Sequence, residues 1–187
     1  MDVKRLLTAI LLSSAAMLGA CQQKSATEGT VNDTAMTDDG AAMDNSATGA
    51  TALDTAFVTD AMKGDNGEVA IGNLAADKAT SSAAKDFGRM LATDHGAHKQ
   101  KLAALAATGG VPATDEPSDE AKANLAKLKD VSGSAFDKEF ARLMVEDHQK
   151  DIAKYEKQAS SGDPQTAALA KETLPTLRKH LQVAQGL

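Results

Sequence analysis

Residues 87–95 read FGRMLATDH and residues 140–148 read FARLMVEDH. The two stretches align without a gap and share Phe, Arg, Asp and His. Their apolar residues recur at intervals of three and four, the period of a helix with one buried face. Core spacing accounts for the shared Phe and for the Leu/Met matches. It does not account for a repeated Asp-His. At 100° per residue, Asp94 lies about 20° from Phe87, and Asp147 lies about 20° from Phe136. Both carboxylates are therefore expected to point inward, with His95 and His148 at the edge of the same face.

Working outward, the same period marks four long helices. The first is expected over residues 54–79, with Phe57, Ala61, Gly64, Glu68, Ile71 and Ala75 on one stripe. The second covers 82–107, behind a capping Ser81 or Ser82 and ahead of Gly109-Gly110, and its stripe is Phe87, Leu91, Asp94, His98, Leu102 and Leu105. The third covers 135–159, with Phe136, Phe140, Leu143, Met144, Asp147, Asp151 and Tyr155 inward. The fourth follows Asp163-Pro164, an N-cap with proline at the first helical position, and runs to 185. Leu169, Thr173, Leu177, His180 and Ala184 share its inner face, and Pro175 is expected to kink it. A shorter helix over 118–129 fills the connection between the second and third.

Composition agrees. Of 187 residues 37 are alanine, which loses no side-chain entropy in a helix, and only 3% are aromatic. The expected fold class is all-α: an antiparallel four-helix bundle with a short extra helix in the B–C connection, between the second and third long helices. A net charge of −6 leaves no electrostatic footprint for nucleic acid. The single cysteine excludes a disulfide framework and a cysteine-based zinc site.

That cysteine has another setting. Lys4 and Arg5 precede an uncharged apolar run over 6–18, too short to span a bilayer of ~30 Å hydrocarbon but the size of a signal-peptide core. Leu18-Gly19-Ala20-Cys21 then resembles the lipobox of bacterial lipoproteins. The resemblance implies cleavage after residue 20 and a lipidated Cys21, and Gln22 in place of Asp implies the outer membrane. The alternative is a plain secretory signal. Residues 21–52 are mostly Ala, Thr, Ser, Gly, Asp and Asn, too poor in apolar side chains to offset ordering entropy, and are expected to form a flexible tether. The domain is expected over 53–187.

Several pieces resemble a bacterial envelope family of unknown function placed among ferritin-like bundles. They are Gly64-x-x-x-Glu68, Leu74-Ala75-x-x-Lys78-Ala79, Asp94-His95, Phe136-Asp137, Met144-Val145-x-Asp147-His148 and Leu174-Pro175-x-Leu177-x-x-His180-Leu181. Members are often described as outer-membrane proteins. The resemblance implies a ferritin-like fold and no particular activity.

Each long helix offers a mid-stripe polar group, so Glu68, Asp94, His95, Asp147, His148 and His180 are expected to converge. An internal hydrogen-bond network is the leading reading, with Asp94–His98 as an i,i+4 pair. A divalent metal site is the alternative. The di-iron arrangement of ferritin-like carboxylate proteins is disfavoured, because the chain has no Glu-x-x-His. No nucleophile motif or phosphate loop occurs, so an enzyme is not expected. The expected function is that of a membrane-tethered periplasmic lipoprotein, an interaction or structural module of the cell envelope. Its expected partners are the membrane, through Cys21, and an envelope protein. A metal-binding bundle is the alternative.

Overall fold

The structure, a computed structural model, describes residues 52–161 and 163–187. The expected signal peptide, lipidated cysteine and tether up to residue 51 lie outside the described residues. Among those described there are five helices and no strand: α1 Thr55–Lys78, α2 Ser82–Thr108, α3 Asp119–Asp130, α4 Ser134–Ala159 and α5 Pro164–Gln185. They pack into a helical bundle.

Local chemistry sets the starts. Asp54 accepts from the Phe57 amide at 3.0 Å, Ser81 from Ala84 at 3.1 Å and Ser118 from Ala121 at 3.1 Å. Asp163 accepts from Gln165 at 3.0 Å, directly before Pro164. Each bond satisfies one donor that the first helical turn leaves without a partner. Helix α4 has no side-chain cap and starts from Gly133 at φ 63°, a conformation that favours glycine. Helix α5 continues through Pro175, which is exposed, so the missing N–H falls on the solvent side.

Helices α1 and α2 form one hairpin, α4 and α5 the other. A Cβ on Gly72 would stand 2.6 Å from the Gly88 carbonyl oxygen, and one on Gly88 would stand 2.6 Å from that of Gly72. The backbones of α1 and α2 therefore touch. Two aspartates tie the hairpins together. At one end Asp137 of α4 accepts from the Thr80 and Ser81 amides in the α1–α2 turn, at 2.9 and 2.8 Å. At the other, Asp163 accepts from the Asp54 amide at 2.8 Å. Helix α3 straps across α1: Ala121 lies against Gly67, the Ser118 amide donates to the Lys63 carbonyl, and Asn66 donates to the Thr114 carbonyl.

The core has three layers along the bundle. One apolar layer holds Ile71, Phe87, Leu91, Phe136, Phe140 and Met144. A second holds Phe57, Met62, Leu102, Tyr155, Leu174 and Leu177. Between them lies a slab of buried polar side chains: Asp65, Glu68, His95, His98, His148 and His180.

The stripes of α2 and α4 differ from expectation by one residue. His95, Ala106 and His148 are buried, whereas Asp94, Leu105, Asp147 and Asp151 are only partly so. Neighbours on a helix differ by 100°: on α2 the stripe centre lies on the far side of Phe87 from Asp94, whereas on α4 Asp147 and Asp151 fall within the buried arc and are left partly exposed where they line a cavity beside α1 and α3. The imidazoles thus take the interior and the aspartates its rim.

Candidate metal centre

Three helices supply the imidazoles: α2 gives His95, α4 gives His148 and α5 gives His180. One ring nitrogen from each lies within 4.8 Å of those of the other two. His148 Nε2 and His180 Nδ1 are 3.3 Å apart. Phe87 closes one side of the cluster, 6.0 Å from the His180 ring and 6.4 Å from the His148 ring.

Each ring spends its other nitrogen on a fixed acceptor. His148 Nδ1 is 2.9 Å from the Met144 carbonyl, which can only accept, so that nitrogen carries the proton. His95 Nδ1 is 2.9 Å from Asp65, and His180 Nε2 is 2.9 Å from Asp94. His98 Nδ1 also meets Asp65, at 2.8 Å. The expected Asp94–His98 pair does not form: Asp94 serves His180, and His98 serves Asp65.

Electrostatics support neutral His148 and His180. Burial, reinforced by His95 and His180 nearby, pushes the His148 imidazole down to about 3. Burial likewise lowers His180, against the pull of Asp94. Asp65 behaves in the opposite way: burial would raise it, but hydrogen bonds from His95 and His98 hold it below the usual carboxylate range. Burial, then Asp147 beside it, pushes Glu68 well above that range.

Counting protons exposes a conflict. Neutral His148 has its proton on Nδ1, so Nε2 presents a lone pair. Neutral His180 has one proton for two acceptors, Asp94 and His148 Nε2. If Asp94 takes it, two lone pairs face each other at 3.3 Å. A cation bound to both nitrogens removes the repulsion. The edge of a tetrahedron of nitrogens around zinc is about 3.3–3.4 Å for bonds of 2.0–2.1 Å. His95 Nε2, buried with no hydrogen-bond partner, supplies a third lone pair. A carboxylate or carbonyl on the far nitrogen of each ring is the arrangement that orients metal-binding histidines.

The other expected residues sit around this core. Glu68 Oε1 lies 3.9 Å from His148 Nδ1, too far for a hydrogen bond. Asp94 holds His180, and Asp147 lies beside Glu68. Asp65 was not anticipated. Its signal was present, since it lies three residues before Glu68 on the same helix face.

An all-helical bundle with a buried imidazole cluster is the class that fold and site define. Within it, residues 39–187 match the model of a domain of unknown function, DUF4142, and the chain belongs to that family. No curated protein matches it. A crystal structure of a DUF305 fragment from Deinococcus radiodurans is similar in fold, with a TM-score of 0.63 and 16% identity. The similarity covers 71% of this chain and 92% of that one.

Proposed function

We propose that this protein binds a divalent transition-metal ion through His95 Nε2, His148 Nε2 and His180 Nδ1. The observation that carries the reading is the 3.3 Å approach of two imidazole nitrogens with one proton too few to reconcile them. Three nitrogen ligands suit zinc and its neighbours, and three protein ligands leave a coordination position open. Asp65, the Met144 carbonyl and Asp94 would hold the rings in their tautomers. On this reading the ferritin-like bundle is a metal-binding module of the bacterial envelope, tethered through lipid on Cys21. Among the described residues, Leu187 is the one large apolar side chain exposed to solvent.

Elemental analysis and zinc titration of natively purified protein test the proposal. One equivalent of metal should be retained, and a chelator should lower the unfolding midpoint. His148→Gln and His180→Gln should each abolish that response. Protein that holds no metal, and whose midpoint ignores both zinc and chelator, would refute the reading.

A further inference from the structure

Helices α2 and α5 part to leave a cleft of about 200 Å³. Asp94 and His98 of α2 line one wall, and Glu172 and Thr173 of α5 line the other. Lys101 of α2 crosses between them to pair with Glu172 at 2.6 Å. His95, His148 and His180 do not line this cleft.

His98 is 9% exposed, and its Nε2 is buried with no hydrogen-bond partner. Nδ1 is held by Asp65 of α1 at 2.8 Å. Ionised Asp65 only accepts, so Nδ1 carries the proton and Nε2 of the neutral ring presents a lone pair. Helix α2 has α1 on one side and α5 on the other. A ring with Nδ1 turned to α1 has its opposite edge, with Nε2, toward α5 and the cleft. A buried polar atom left without a partner is a cost that a ligand removes. Asp94 stands one turn before His98, at the i,i+4 spacing by which side chains on one helix face share a metal ion. Its Oδ2 faces His180 at 2.9 Å, which leaves Oδ1 for a second partner. Two carboxylates against one ammonium make the cleft attractive to a cation.

We propose that Asp94 Oδ1, His98 Nε2 and Glu172 form a second cation site in this cleft, which takes a divalent ion of the zinc class and leaves the rest of its coordination to water. One imidazole with carboxylate oxygens suits such an ion. Glu172 joins by leaving Lys101. That pair is exposed on both sides, 54% and 61%, so it contributes little that the ion has to replace. The ion supplies the partner that His98 lacks. Water competes for it here, so it is held more weakly than an ion in the imidazole cluster. The cleft uses none of the three nitrogens of that cluster, and its ion does not require theirs.

Calorimetric titration of the full, metal-free chain with zinc should resolve a tight equivalent and a second one at least tenfold weaker. His98→Asn, whose amide can still donate to Asp65, should abolish the weaker one. Glu172→Gln should weaken it severalfold. Lys101→Met should tighten it, because Glu172 is freed and a competing cation is gone. Asp86→Asn, at an exposed carboxylate of α2, should leave both equivalents unchanged. The proposal is overturned if no equivalent of zinc binding responds to these three cleft substitutions. Glu172→Gln and Lys101→Met, both at the surface, decide the matter should His98→Asn disturb the fold. Failure of the histidine reading would show separately, as a missing tight equivalent while the weaker one still answers to the cleft substitutions.

Discussion

His148 is pressed into neutrality by the apolar layer above it and the two imidazoles beside it. Its pKa falls from 6.5 to about 3 on folding. Between those values the unfolded chain binds a proton that the native ring refuses. Stability is therefore full above pH 6.5 and declines as pH drops toward 3, by at most about 1.4 kcal/mol per unit. Metal-free protein should show this as a falling unfolding midpoint from about pH 7 to pH 5. His148→Gln, whose amide can still donate to the Met144 carbonyl, should flatten the slope. An unchanged slope would mean that another group carries the acid sensitivity. The sequence made the three imidazoles legible, because a repeated Asp-His has no packing explanation. It could not say which member of each pair faces inward. Asp94 and His95 straddle a stripe edge, where 100° decides between interior and rim, and Asp147 and His148 both fall within the arc that α4 buries. Nor could the sequence show proton counting, which needs distances.

Helices α1 and α2 are held at backbone contact by Gly72 and Gly88, and this pair escaped sequence reading. A glycine inside a helical pattern normally registers as a propensity cost, and the benefit appears only when the partner glycine is found. Gly88→Ala should destabilise the fold by about 2–3 kcal/mol, because the new methyl group meets the Gly72 carbonyl oxygen and the Ala76 amide and the hairpin must open. Gly96→Ala on the same helix is the contrast. Nothing lies within 4 Å of its would-be Cβ, so it should be neutral or gain up to about 1 kcal/mol from helix propensity. Denaturant titration of the two variants separates close packing from propensity. The extents of all five helices, by contrast, were legible to within about two residues. Caps at Asp54, Ser81, Ser118 and Asp163 stand where a polar side chain precedes an amphipathic run, and local chemistry suffices there.

At the scale of the whole molecule, the domain is one part of a longer arrangement proposed from the N-terminal sequence. If Leu18-Gly19-Ala20-Cys21 directs lipidation, mass spectrometry of protein from a bacterial envelope should find Cys21 as an acylated N-terminus. Cys21→Ser should then release the domain from membranes with its unfolding midpoint unchanged. A free thiol at Cys21 would remove the anchor from the account. Two short-range hairpins, each closed by contacts near in sequence, meet along an interface that the sequence foreshadowed through its two short turns and one long connection.

The histidines are divided between those hairpins: His95 belongs to the first, His148 and His180 to the second. Neither hairpin alone holds the full set. An ion that needs all three can bind tightly only after the hairpins have come together, too late to hasten their meeting. What it can alter is how long they stay together. Bound metal should lengthen the lifetime of the folded state while leaving the speed of folding almost untouched, since contacts absent from the transition state act on unfolding alone.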